Sequence, residues 1–164
     1  MVDQKTAGTP ATLALTAARI PFTVHEYDHD AANTDFGREA VQSLGLDPWQ
    51  MFKTLIVDTG AGRANLACGI VPVAAMMDLK AMARELGVKK VDLADPHAAE
   101  LSSGYIVGGI SPVGQKNQLP TILDEMAGLF DTIFVSGGRR GMDIELSPDD
   151  LLRVTGGRFA NIIR

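Results

Sequence analysis

Cysteine is nearly absent from the sequence: Cys68 is the one example in 164 residues. A single cysteine excludes a disulfide within the chain and is typical of a reducing compartment. Long apolar runs are absent too, which excludes a membrane-spanning helix. The segment from Met1 to Pro10 has no apolar run after its charges, so we expect no signal peptide. We therefore expect a cytoplasmic protein with no membrane partner.

Basic residues are fewer than acidic residues. The chain has 15 Lys and Arg against 20 Asp and Glu, a net charge of −5. Proteins that hold nucleic acid by bulk attraction to phosphate carry an excess of basic residues, so we expect no DNA partner. The pairs Lys89-Lys90 and Arg139-Arg140 could still make a local phosphate contact, although most such pairs are simply solvated.

No repeat and no glycine- or serine-rich linker divides the chain, and its length suits one domain with its own core. Helix-capping residues followed by proline occur at Thr9, Asp95 and Ser147 and predict helix starts. Alternating apolar residues predict two hairpins, one turning at Gly60 to Gly62 and one at Arg139 to Gly141. The segment "GYIVGG" predicts a further strand. Hairpins with intervening helices indicate a mixed α/β domain.

The familiar catalytic motifs are missing. The glycines match neither the phosphate-binding G-x-x-x-x-G-K-[ST] spacing nor G-x-G-x-x-G. His25 and His29 lie four residues apart, but no carboxylate pattern completes a metal motif there. No serine–histidine or cysteine–histidine pair stands out. We therefore expect no metal and no cofactor.

Lys53 is the most unusual single residue, because it begins an otherwise apolar strand and shares a face with Leu55 and Val57. A lysine in that position extends its amine to water, finds an anionic partner or shifts its pKa. The pattern alone leaves these three alternatives open.

Two glycine-rich segments are candidates for backbone recognition of a ligand. Amides in "GYIVGGISPVGQK", residues 104–116, could stabilise an oxyanion or bind a carboxylate or phosphate. In "FVSGGRRGMD", Ser136 ends a strand and Asp143 opens the return strand. An ordinary tight turn explains the first segment and a hairpin the second.

The segments "MFKTLIV", "GYIVGGISPVGQK" and "FVSGGRRGMDIELSPDDL", in this order, resemble the YbaK/EbsC family of aminoacyl-tRNA deacylases. That family is related to the editing domain inserted in bacterial prolyl-tRNA synthetases. The resemblance runs from Thr9 to Ile163. It implies one domain over residues 9–164, with a strongly curved, mixed β-sheet surrounded by helices, preceded by a disordered tail at residues 1–8.

The resemblance implies hydrolysis of the ester that joins a wrong amino acid to tRNA, typically cysteine on proline tRNA or on cysteine tRNA. The substrate thiol would attack its own ester carbonyl and release a thiolactone, as a lyase would, while backbone amides stabilise the oxyanion. The resemblance also implies a ternary complex with prolyl-tRNA synthetase, which would carry the tRNA.

The site residues follow from the same resemblance. Lys53 would hold a phosphate or the 3′ end of the tRNA. The catalytic group would comprise Lys53, Gly108, Gly109, Ile110 and Ser111. The substrate-binding group would comprise Tyr27, Thr54, Pro112, Ser136, Gly137 and Asp143.

Two alternatives remain open. Sister enzymes of the same fold remove alanine or another small amino acid from tRNA with a water nucleophile. A non-catalytic module would use the same pocket to bind tRNA or a synthetase, because a fold does not settle a function.

Overall fold

The computed structural model describes residues 8–60 and 65–164. Over these ranges the chain forms five α-helices, a 3-10 helix at Glu125–Leu129 and eight strands. The helices are α1 (Pro10–Ala17), α2 (Phe36–Leu44), α3 (Leu79–Leu86), α4 (Pro96–Ser103) and α5 (Pro148–Thr155). The strands are β1 (Thr23–Glu26), β2 (Phe52–Asp58), β3 (Leu66–Pro72), β4 (Asp92–Leu93), β5 (Thr121–Asp124), β6 (Ile133–Arg139), β7 (Met142–Leu146) and β8 (Arg158–Ala160).

The helix starts agree with the sequence prediction. The side chains of Thr9, Asp95 and Ser147 each accept a hydrogen bond from a backbone N–H in the first turn that follows, and each is followed by proline. Asp35 precedes α2 but makes no such capping bond. Its carboxylate instead lies 3.5 Å from the Nε of Arg38, in an exposed ion pair.

The strands divide between two sheets. β1, β7 and β6 form an antiparallel sheet, and the order β4-β2-β3-β5-β8 forms a mixed sheet in which β3, β5 and β8 run parallel. Both predicted hairpins, β2–β3 and β6–β7, are confirmed. The mixed α/β class is confirmed as well. A single, strongly curved sheet is not, because the described strands fall in two sheets.

The core lies where the two sheets pack together. Phe52, Ile70 and Leu123 from the larger sheet and Val135 and Ile144 from the smaller one belong to a single buried cluster. Full burial of side chains of this size stabilises the fold by about 1.5–3 kcal/mol each. This shared core fixes the position of β2 relative to β6 and β7, the strands that carry most of the predicted site.

The strand predicted at "GYIVGG" is wrong. Residues 104–109 form turns and irregular structure, since Gly104 and Gly108 adopt positive φ angles of 80° and 89°. The hydroxyl of Tyr105 donates a 2.7 Å hydrogen bond to the carbonyl of Val113, which folds the segment back on itself. Ile106, expected inside a sheet, is 53% exposed.

Two predictions fall partly outside the described residues. The first hairpin turn was placed at Gly60 to Gly62, and of these only Gly60 is described. The disordered tail was placed at residues 1–8, of which only Gly8 is described.

Candidate functional site

A cavity of about 430 Å³ lies between the two sheets and is the candidate site. Its walls come from β2, from the start of α2, from the segment after α4 and from the facing strands β6 and β7. The lining includes seven of the residues predicted from the sequence, namely Tyr27, Lys53, Thr54, Gly108, Ile110, Ser136 and Asp143. Residues from four distant parts of the sequence are thus brought together.

Four predicted residues do not line the cavity. Gly109, Ser111 and Pro112 are buried within the segment after α4, and Gly137 is buried next to Ser136 on β6. The hydroxyl of Ser111 accepts a 3.2 Å bond from the N–H of Val113, and its carbonyl accepts a 3.0 Å bond from the side chain of Gln115. These contacts hold the loop in place rather than reach the cavity.

The cavity lies along one edge of β2. On that side, β4 pairs only with Val57 and Asp58, whereas Met51 forms an isolated bridge to Phe134 of β6. Between these two contacts no other described strand pairs with this edge of β2. The cavity occupies this gap in the sheet, and Lys53 and Thr54 line it.

Lys53 is half-buried on β2, where it pairs with Val71 of β3, and its side-chain ammonium makes no hydrogen bond or ion pair with the described part of the chain. Burial lowers the pKa of Lys53 below its usual value, while the carboxylate of Asp35 acts in the opposite direction. Of the three alternatives left open by the sequence, a shifted pKa fits best. An unpaired, partly desolvated ammonium is suited to bind an anionic group.

Thr54, the next residue, also has an unused polar atom. Its hydroxyl oxygen is buried and has no hydrogen-bond partner within the described ranges. Burying a hydroxyl without a hydrogen-bond partner destabilises the folded protein, and a ligand that forms a hydrogen bond with it removes that penalty.

Gly108 and Gly109 hold the loop close to its neighbours. A Cβ on Gly108 would lie 2.7 Å from the ring of Phe36, and one on Gly109 would lie 2.7 Å from the Cα of Arg139. The N–H of Gly109 donates a 2.9 Å hydrogen bond to the carbonyl of Ile106 and so closes a turn. The amides of Gly108 and Ile110, the two loop residues of this group that line the cavity, have no partner in residues 8–60 and 65–164, so they are the amides free to bind a ligand.

Asp143 lies on the opposite wall, on β7 and across from Ser136 of β6. It is 3% exposed, and its Oδ2 atom has no hydrogen-bond partner among the described residues. Burial raises the pKa of Asp143 to about 7. The β6–β7 pairing is irregular just beyond Ser136, where the chain bulges at Gly137 and Gly138.

Tyr27 closes the side of the cavity next to Asp143. Burial, Asp143 and Glu39 together raise its pKa to about 12. Glu39 is itself buried, and burial disfavours its charged form and so acts to raise its pKa. It nevertheless receives a 2.6 Å contact from His29 and a 2.9 Å bond from the N–H of Asp30, and these hold its pKa below the usual value. His29 is therefore paired rather than solvated.

Sequence reasoning missed Phe36 and the role of Arg140. The Nε atom of Arg140 donates a 2.9 Å bond to the carbonyl of Val107, and its guanidinium lies 4.9 Å from the centre of the Phe36 ring. Arg140 thus connects the β6–β7 turn to α2 and to residues 104–116, which we call the glycine loop. The basic pair was visible in the sequence, but a local pattern carries no signal for the distant Val107 or for Phe36.

Other kinds of site find little support. Cys68 is buried in the core, and burial raises its pKa to about 12. No group of three or more His, Cys, Asp or Glu suited to hold a metal ion occurs in the described ranges. A search of the same residues finds no helix long and apolar enough to cross a membrane.

A family model described as "Aminoacyl-tRNA editing domain" matches residues 32–154, which include every predicted site residue except Tyr27. The chain belongs to this family. It is 37% identical, over 148 residues, to a protein of Enterococcus faecalis named "Putative Cys-tRNA(Pro)/Cys-tRNA(Cys) deacylase EbsC", covering 88% of this chain and 86% of that protein. The resemblance seen in the three sequence segments is confirmed.

Solved structures of similar fold cover nearly the whole editing domain. One is "a putative trans-editing enzyme for prolyl tRNA synthetase", with a TM-score of 0.79 and 25% identity over 94% of this chain and 95% of that one. Another, "hypothetical protein APE2540", has a TM-score of 0.84 and 24% identity over 94% and 99% of the two chains. The second likeness concerns the fold alone.

Proposed function

We propose that this editing-domain protein deacylates mischarged tRNA, and that its substrate is cysteine esterified to proline tRNA, with cysteine on cysteine tRNA as a further substrate. The observation that carries the proposal is the cavity between the sheets, where an unpaired lysine faces a loop with free backbone amides. The names of the Enterococcus faecalis relative and of the trans-editing structure support the same substrate class.

In the proposed mechanism the substrate provides the nucleophile. The sulfur of the cysteinyl group attacks the ester carbonyl carbon, a C–S bond forms, and the C–O bond to the ribose breaks. The thiol proton passes to the departing ribose oxygen, so the products are free tRNA and a thiolactone that water then opens. The protein needs no side-chain nucleophile and no cofactor for this route.

The chain's own residues orient the ester and stabilise charge. The free amides of Gly108 and Ile110 would donate to the oxyanion that forms on the carbonyl. Gly109 would act by keeping the loop against Arg139, since its own N–H is already bonded to Ile106. Pro112 and the buried Ser111 side chain would keep that loop rigid.

Lys53 and Thr54 would bind the nucleotide end of the substrate. Lys53 offers a positive charge to a phosphate of the terminal adenosine, and the unpartnered hydroxyl of Thr54 offers a hydrogen bond. Tyr27, Ser136 and Gly137 would shape the part of the cavity that holds the amino acid. Asp143 would contact the amino acid itself.

We place the reaction in the cytoplasm and propose a ternary complex with prolyl-tRNA synthetase and tRNA. The net charge of −5 supports this, because an acidic protein gains little affinity for tRNA from bulk electrostatics. A synthetase that already holds the tRNA would supply the missing affinity.

The test is a panel of proline tRNAs charged with cysteine, S-methylcysteine, alanine or proline. We expect rapid deacylation of the cysteinyl ester and, for the other three, rates close to those without protein, because they have no free thiol. Hydrolysis of the S-methylcysteinyl and alanyl esters at the cysteinyl rate would contradict the thiol mechanism and favour bound water. Hydrolysis of none of the four by folded protein would favour the binding module.

A further inference from the structure

Asp143 is a buried carboxylate with nothing to neutralise it. Its exposure is 3%, and its Oδ2 atom has no hydrogen-bond partner in the described part of the chain. Buried carboxylates are usually paired or hydrogen-bonded, because an isolated charge loses its hydration. Asp143 lines the cavity, so the carboxyl group that the protein leaves unpartnered borders the space that a ligand would occupy.

The basic side chains near Asp143 have other partners. His25 faces it directly in the β1–β7 register, but its Nε2 atom lies 2.9 Å from Glu145. Arg139 lines the cavity and forms its ion pair with Glu26. The described chain therefore contains no cation committed to Asp143.

Lys53 is separated from Asp143 by the cavity. The two residues lie on different sheets, Lys53 on β2 and Asp143 on β7, and they form no ion pair. Burial is the one cause of the raised pKa of Asp143, without any opposing effect from Lys53. The cavity thus has a lysine on one wall and an unpaired carboxyl group on the other.

An aminoacyl ester on tRNA has groups that complement both Lys53 and Asp143. Its α-amine titrates near neutral pH and is favoured in its charged form beside a carboxylate, and the phosphates of the terminal nucleotides are negative. Placing the phosphate at Lys53 leaves the amino acid between the two sheets. The ammonium is the part of the substrate that Asp143 is equipped to bind.

We propose that Asp143 binds the α-ammonium group of the aminoacyl ester and that Ser136, its neighbour across the strand pair, supports this contact. The assignment rests on the proposed function for the identity of the substrate. It makes Asp143 a substrate-binding residue that selects esters with a free amine. Peptidyl and N-acylated esters, which have no ammonium, would be rejected at this wall.

The first experiment compares two substrates that differ in the amine alone, cysteinyl-tRNA(Pro) and 3-mercaptopropionyl-tRNA(Pro). Both retain the thiol and the ester. Rates are divided by those without protein to remove the intrinsic effect of the ammonium on the ester. We expect the wild type to favour the cysteinyl ester by about ten- to a hundredfold in kcat/KM, the range of a charge-assisted hydrogen bond.

The variant Asp143→Asn should remove this preference. It should slow the cysteinyl ester by the same factor and leave the mercaptopropionyl ester unchanged. Asp149→Asn, an exposed carboxylate on α5, serves as the control and should keep the wild-type preference. Equal wild-type rates on the two esters, or a preference that persists in Asp143→Asn, would overturn the assignment.

A binding measurement separates this assignment from the proposed function. The probes are 3′-cysteinylamino-3′-deoxyadenosine, a stable amide, and its analogue without the α-amine, titrated by calorimetry. A preference for the amine-bearing probe that is lost in Asp143→Asn supports the assignment even if no tRNA ester is hydrolysed. Equal affinity for both probes contradicts it even if cysteinyl-tRNA(Pro) is deacylated.

Discussion

Asp143 illustrates a conflict between stability and function at the scale of one residue. Its ordinary pKa of 3.8 is raised to about 7 by burial, so the folded protein disfavours the charged form. The loss of folding stability caused by Asp143 is absent below the pKa of this group in the unfolded chain. It grows as the pH rises from about 4 to about 7 and is complete above that range. A group retained at such a cost is suited to a functional role.

We predict that Asp143→Asn stabilises the protein, and more so at pH 8 than at pH 5. Because each unit of pKa shift corresponds to about 1.4 kcal/mol, the gain at pH 8 should exceed that at pH 5 by about 1–3 kcal/mol. Urea unfolding at the two pH values measures this difference. An equal gain at both values would show that Asp143 is not desolvated as described, and Asp149→Asn should show no difference.

Lys53 and Asp143 also mark what local sequence can reveal. Lys53 was identified because a lysine at the start of an apolar strand is unusual, and the structure places it in the cavity. Asp143 was noted as the start of a return strand, and its role as a substrate-binding residue came from the family resemblance alone. A residue's lack of partners depends on the elements packed around it, here Tyr27, His25 and Ser136 from two other strands or their ends, and local sequence does not contain that information.

At the scale of elements, the glycine loop depends on its contact with the β6–β7 hairpin. A Cβ on Gly109 would lie 2.7 Å from the Cα of Arg139 and 3.0 Å from the N of Arg140. These are backbone atoms, which cannot rotate away as a flexible side chain can. The loop would have to move, and the free amides of Gly108 and Ile110 would move with it.

We predict that Gly109→Ala destabilises the fold by about 1–3 kcal/mol, the usual cost of overpacking, and lowers kcat more than that loss of stability explains. Thermal unfolding and single-turnover deacylation measure the two effects. Gly128→Ala is the matched control, because the nearest atom to its Cβ would be 3.9 Å away. Unchanged activity in a folded Gly109→Ala variant would show that the loop position is not critical.

The same loop is where sequence prediction failed. Tyr105, Ile106 and Val107 have strong strand propensity, yet Gly104 and Gly108 turn the chain and the Tyr105 hydroxyl bonds to Val113. Tertiary contacts outweigh local propensity there. The short strands β5 and β8 were missed because each pairs in parallel with a strand distant in sequence. Capped helices and hairpins, whose signals are local, were predicted correctly.

At the scale of the whole molecule, two sheets share one core and leave a gap between β4 and β6 along β2. Hydrophobic patterning predicted the α/β class but did not predict how the strands divide between sheets. That division creates the cavity and places a lysine on one wall and an unpaired carboxyl group on the other, Lys53 on one sheet and Asp143 on the other. The proposed editing activity is a property of this arrangement.

The most direct test of the account is single-turnover deacylation of cysteinyl-tRNA(Pro) by the wild type, Lys53→Ala and Lys90→Ala. Lys90 is an exposed lysine paired with Asp92 and serves as the control. We predict that the wild type and Lys90→Ala deacylate at equal rates. Lys53→Ala should be at least about a hundredfold slower, because the ester loses its position, and should unfold at no lower temperature than the wild type. A folded Lys53→Ala variant with the wild-type rate would contradict the account, as would a wild type that leaves the ester intact.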